Sequence, residues 1–263
     1  MTIDGEMFED CPALAVGYVR EPDRVEIRYV NVLASSSPSV QDREDEAREE
    51  YRAVAAAGVV REVTDAWHRI TRWLQHHAPA SYAALRPGAS PAALAALEDV
   101  LGLRIPVELR VLWLLTAGDD CGDGWGSLPG NRALMNPDAV AATYRLKMED
   151  QANQDVLNAE RSADESVTVW KKTWIPVVAL GSADSTGGLY LDVATGRTGQ
   201  WSRYNDAPDG EPDTLATYLE EAADMLENPA LATRDKPGLI GGALVWLSSI
   251  DPAQEGRWRP WTG

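Results

Sequence analysis

Between Trp170 and Tyr204, apolar and polar residues alternate in three short runs. Trp174, Ile175, Val177 and Ala179 mark the first, Leu189, Leu191 and Val193 the second, and Gln200, Trp201 and Tyr204 the third. Glycines at Gly187-Gly188 and Gly196 read as the turns between them. Alternation of this kind, broken by glycine, predicts a half-buried antiparallel β-meander.

Upstream the spacing becomes helical. Asp42 to Gly58 opens with acids, which suits the positive end of a helix dipole, and the glycine predicts its end. Val63, Trp67, Ile70 and Leu74 mark the face of a second helix, with Val60 and Trp73 beside it. Ser90-Pro91 is a cap followed by proline at the first helical position; Leu94, Leu97 and Leu101 form that helix's stripe and Gly102 ends it. Pro106 opens a further helix that buries Leu109, Leu112, Trp113 and Leu115 and closes at Gly118. Asn136-Pro137 starts another, running through Tyr144 and Met148 and fading in the polar stretch 151–166. After the meander, Asp213 is the expected cap of a helix carrying Leu215, Tyr218, Leu219, Ala222 and Leu226, ended before Pro229.

Helices first, a meander next and a helix last predict an α+β fold, with N-terminal helices packed on the antiparallel meander and a C-terminal helix closing it. Three regions follow. Residues 1–41 form an arm, read as a hairpin (13–19 with 25–33) followed by a Ser/Pro linker. Packing on the body, capping a sheet edge and standing free all stay open for it. Residues 42–228 form the main domain, and 229–263 a C-terminal extension with an apolar run at Leu239–Leu247 and Trp258 and Trp261 near its end.

The 263 residues are 44% hydrophobic and 25% charged, enough apolar surface for a core. The net charge of −17 repels phosphate backbones, so a nucleic-acid partner is not expected and a basic partner is favoured. Cys11 and Cys121 lie far apart and make no disulfide framework, the first ten residues carry no secretory pattern, and no apolar run reaches membrane-spanning length. A cytoplasmic location is the expectation.

The stretch Leu85–Asp120 resembles the SUKH superfamily, the Smi/Knr cell-wall-regulator-like and bacterial immunity proteins. The residues that carry the likeness are Leu97-Glu98, Leu101-Gly102, Ile105-Pro106, Glu108-Leu109-Arg110 and Ala117-Gly118. Downstream, Trp174–Val177, Tyr190–Asp192, Gly196–Trp201 and the YLEEAADMLEN helix fit the same pattern, so the resemblance spans roughly residues 60–228. The corner is usually Asn-Gly in relatives and is Ala117-Gly118 here, followed by an unusual DDCGDGWG loop. The resemblance implies a non-enzymatic α+β binding protein, commonly an immunity protein that neutralises a toxin, often a nuclease. Its alternative is a regulatory or scaffold module of the same fold that binds endogenous proteins.

Tests for chemistry return little. Counted from Asp119, the DDCGDGWG loop places Asp and Gly at two of the expected points of a calcium loop. Cys121 and Gly130, however, stand where a ligand and a bidentate Glu are needed. His68, His76 and His77 lack a neighbouring ligand set, and no nucleophile motif occurs. No catalytic residue, cofactor or metal is therefore expected. Protein recognition is the better use for the acidic and aromatic loop residues. The candidate partner-binding set is Asp119, Asp120, Asp123 and Trp125 after the helix corner, and Asp184 in the first meander connection. Trp201, Arg203 and Tyr204 in the last strand, with Asp206, Asp209 and Glu211 beyond it, complete the set. Alternate connections of a meander share an end, which would let these loops converge on a basic toxin domain.

Overall fold

The computed structural model describes residues 5–7, 14–21, 24–32, 40–121, 125–181, 186–202, 214–233 and 235–263. The chain divides into two compact units, Met1–Glu62 and Val63–Gly263. In the first, β1 (Gly5–Met7), β2 (Leu14–Glu21) and β3 (Arg24–Val32) form an antiparallel sheet in that order. Glu21 pairs with Arg24, so a two-residue connection joins β2 to β3.

Helix α1 (Val40–His77) carries residues of both units. It runs through Gly58, where the sequence predicts a stop. One glycine inside a helix costs only about 1 kcal/mol against alanine, and the alanines on one side with Val59 and Val60 on the other carry the helix across. Beyond Val63 its expected stripe is the inner face: Val63, Trp67, Ile70 and Leu74 are all buried.

The second unit continues with α2 (Pro79–Ala84), α3 (Pro91–Leu101) and α4 (Val107–Leu115). Ser90 caps α3, its hydroxyl accepting from Ala93 N–H, and Gly102 ends it in the left-handed conformation with φ 62°. Pro106 stands one position before α4, and the helix ends at Thr116, ahead of the predicted Gly118. After β4 (Ala133–Leu134), Asn136 caps α5 (Pro137–Asn158) by accepting from Ala139 N–H. Then come β5 (Trp174–Ala179), β6 (Gly187–Asp192), β7 (Arg197–Ser202) and α6 (Leu215–Glu227).

The predicted meander is β5–β6–β7, extended by β4 to a four-stranded antiparallel sheet in the order β4-β5-β6-β7. Helices and antiparallel sheet together make the fold α+β. Two details differ from the sequence reading. Gly187 and Gly188 open β6 instead of forming the turn before it. A Cβ on Gly188 would lie 1.9 Å from the Val178 carbonyl oxygen, so the residue is glycine for close strand approach. The cap of α6 is Thr214, whose hydroxyl accepts from Thr217 N–H; Asp213, the expected cap, lies outside the described residues.

The C-terminal extension folds as β8 (Pro237–Ile240), β9 (Ala243–Trp246) and β10 (Arg259–Pro260), in sheet order β10-β8-β9. It belongs to the second unit and is bonded into it. Asn131 grips the backbone of Trp246 from both sides, donating to its carbonyl at 2.8 Å and accepting from its N–H at 2.6 Å. The Ser81 hydroxyl accepts from Leu244 N–H, and Ala80 N–H donates to the Gly242 carbonyl. Trp261 donates its indole N–H to the Leu226 carbonyl and lies edge-on to Trp73 and tilted against His77. No helix among the described residues is long and apolar enough to cross a membrane.

Candidate functional site

The register of the four-stranded sheet decides where the candidate loops begin. Ala133 pairs with Ala179, Ala179 with Gly188, and Gly187 with Ser202. The chain arriving at β4 from the 119–132 loop, the connection leaving β5 toward Asp184, and the chain leaving β7 toward residues 203–211 therefore all meet one end of the sheet. Asp123, Asp184, Arg203, Tyr204, Asp206, Asp209 and Glu211 themselves lie outside the described residues.

Asp119 is turned inward. It is 2% exposed, and its carboxylate accepts three bonds, from Cys121 N–H at 2.9 Å and from the N–H and hydroxyl of Ser127 at 2.8 and 2.7 Å. Its own N–H donates to the Leu134 carbonyl, tying the loop to β4. Burial pushes this carboxyl above the ordinary carboxylate range; the bonds from Ser127 and Cys121 oppose that rise, and the neighbouring Asp120 charge adds to it. A buried acid with three donors is a loop organiser: it ties Cys121 and Ser127, on either side of the loop, to one carboxylate. Gly118, at φ 124°, makes the corner possible: a Cβ there would press on the Asn136 backbone.

Asp120 is the outward member of the pair. It is half exposed on its side chain and accepts from the Arg86 guanidinium at 2.6 Å. Trp125 is half-buried. Trp201 is 6% exposed and belongs to an aromatic cluster on one face of the sheet. Trp170 lies edge-on to Trp174, Tyr190 and Trp201, while Trp174 stacks on Tyr190 with ring centroids 4.0 Å apart. The Lys147 ammonium sits 5.0 Å over the Trp201 ring, from α5. Of the four described candidates, then, Asp120 and Trp125 reach solvent while Asp119 and Trp201 support the scaffold behind them. Among the described residues no group of three His, Cys, Asp or Glu side chains is placed to hold a metal.

The sequence motif at the helix corner has a mechanical meaning. Glu98, on α3, is buried and accepts from Ile105 N–H at 2.8 Å and from the Arg110 guanidinium at 2.5 Å. One carboxylate thus satisfies the turn between α3 and α4 and clamps the second helix, which explains a Glu-Leu-Arg step following a Leu-Glu step at this distance. Two fold-bearing residues carry no such signal in the sequence. Ser81 in α2 and Asn131 before β4 belong to no motif, and only the folded chain places them against β9.

The class this defines is an α+β domain braced by the buried carboxylates of Glu98 and Asp119, with the ends of β5 and β7 and the start of β4 at one end of its sheet. The family model described as the SMI1 / KNR4 family (SUKH-1) matches residues 88–227, more than half the chain, and the protein belongs to that family. No curated protein matches the chain.

Proposed function

We propose that the protein is a non-enzymatic protein-binding module, an immunity protein that neutralises a basic, nuclease-like toxin through an acidic surface. Membership of the SMI1 / KNR4 family over residues 88–227 is the observation that carries this reading. The net charge of −17 supports it, because a nuclease must hold phosphate and an acidic inhibitor offers its site the same charge. The recognition surface of this proposal is the sheet end, with Asp120, Asp123, Trp125, Asp184, Arg203, Tyr204, Asp206, Asp209 and Glu211 facing the partner. Asp119 and Trp201 hold their loop and strand in place behind it.

The test is binding to a toxin encoded next to this gene, measured by calorimetry across a salt series. Affinity that falls steeply as salt rises supports the reading, since exposed charges are screened over about 10 Å at 0.1 M salt. Salt-insensitive binding, or none, overturns it.

A further inference from the structure

The second half of α5 is built inside out. Helices packed on a body bury apolar residues and expose polar ones. Here the inner line is Lys147, Gln151, Gln154 and Asn158, and the outward residues include Val156 at 72% exposure and Leu157 at 58%. The inner amides hold the returning chain. The Gln151 side-chain oxygen accepts from Val169 N–H at 2.7 Å and Trp170 N–H at 2.9 Å, and the Asn158 amide bonds both the N–H and the carbonyl of Val167. Gln154 donates to Asn158, which completes a polar seam. Trp170, 1% exposed within the aromatic cluster, roots the returning segment.

From Glu149 to Val169, none of the described side chains is buried. This arm needs no apolar residue for its own seam, yet Val156 and Leu157 stand exposed near the end of α5. Val167, bonded to Asn158 by both backbone groups, is 40% exposed, and Leu146 at 44% lies three turns back along the Leu157 face. Single exposed aliphatics are ordinary; a group of them on a helix whose buried side is polar is not. Around them stand Glu149, Asp150, Asp155, Glu160, Asp164 and Glu165, against Arg161 as the one base in the stretch 149–169.

We propose that this arm is a docking surface for a basic polypeptide segment that presents aliphatic or aromatic anchors between lysines and arginines. An apolar centre with a rim of one sign selects that partner: the aliphatics supply the water-excluded contact, and the acids supply attraction and steering. The polar seam and the Trp170 root fix the arm before binding, which lowers the ordering cost. This deepens the immunity reading, on which it rests only for the partner being a protein of opposite charge.

The experiment uses the full chain and a random display library of 16-residue peptides, a design choice of about four helical turns. Selected peptides are synthesised and titrated against the parent, the V156Q/L157Q variant and the E149K/E160K variant. Glutamine is a good helix former, and all four positions are exposed, so the fold stays intact; unchanged tryptophan emission and circular dichroism check this. The expected result is enrichment of Lys/Arg-rich peptides with Leu, Ile, Phe or Trp anchors. For these peptides V156Q/L157Q weakens binding about tenfold or more, and E149K/E160K flattens the salt dependence. No enrichment, neutral or acidic winners, or winners that bind V156Q/L157Q within about threefold of the parent overturn the proposal. Failure here alongside salt-sensitive toxin binding removes the arm alone; success here with no toxin binding removes the immunity reading alone.

Discussion

Replacing Asn131 by alanine tests whether the C-terminal sheet is part of the fold. The side chain is 5% exposed and bonds both backbone groups of Trp246, a residue with no exposed surface. Alanine leaves that N–H and that carbonyl buried without partners, at about 1–3 kcal/mol each. Asn131 also has φ 56°, a conformation that costs an alanine about 1–2 kcal/mol more than a glycine. The expected loss is therefore about 3–8 kcal/mol for Asn131→Ala, with Asn131→Gly about 1–2 kcal/mol milder. All ten tryptophans lie beyond Val63, so tryptophan emission in a urea titration reports the second unit without interference from the first. A loss of this size lowers the melting temperature by roughly 6–32 °C in a unit of about 200 residues. A cost below about 1 kcal/mol would refute the bridging role. A glycine variant less stable than the alanine variant would refute the backbone argument.

Glu98→Ala strands Ile105 N–H and the partly buried Arg110, for an expected cost of about 3–5 kcal/mol. Glu98→Gln keeps an acceptor for Ile105 and costs less, and equal losses in urea titrations would contradict the clamp. Gly188→Ala drives a Cβ into the Val178 carbonyl and costs about 3 kcal/mol or more, whereas Gly102→Ala, with φ 62° and open space around it, costs about 1; the reverse order would sink the close-approach argument. Burial pushes the Glu108 carboxyl above its ordinary 4.5, partly opposed by a bond from its own N–H. The native state thus holds that proton more tightly than the unfolded chain, and the group's contribution is greatest below about 4.5 and declines as pH rises through the raised value. Stability measured against pH should fall for the parent relative to Glu108→Gln across that window, and parallel profiles would disprove it.

What the sequence discloses depends on how local the cause is. The caps at Ser90 and Asn136 are legible because each is followed by proline and bonds an N–H three residues on. The meander is legible because its apolar residues fall in three short runs, although β5 is buried on both faces from Ile175 to Ala179, where the alternation predicted a half-buried strand. The end of α1 is misread at Gly58 because a glycine's penalty is small beside the burial of Val60, Val63 and Trp67 just after it. The second half of α5 fades in the pattern because its stabilising side is polar: Gln151 acts on residues 18 and 19 positions away and Asn158 on one 9 away, and no apolar stripe announces them. Asp119 illustrates the harder limit. An acid in a Gly-rich loop reads as a surface charge, and only the three donors from Cys121 and Ser127 make it an interior one.

The way the extension is held also decides how binding must be dissected. Cutting the chain after α6 would remove the partners of Ser81 and Asn131, the Leu226 bond to Trp261 and the ring contacts of Trp73 and His77 in a single step. Lost partner capture in such a truncation would report a damaged body, because the cut strands the buried Ser81 hydroxyl and Asn131 amide, which bond β9. Point replacements on exposed side chains avoid this. Asp120 tests the sheet end and Val156 with Leu157 tests the α5 arm, on elements joined to the body by different bonds. Two surfaces that both contact one partner would show losses that add when combined, whereas a single true surface would leave the other variant at parental affinity.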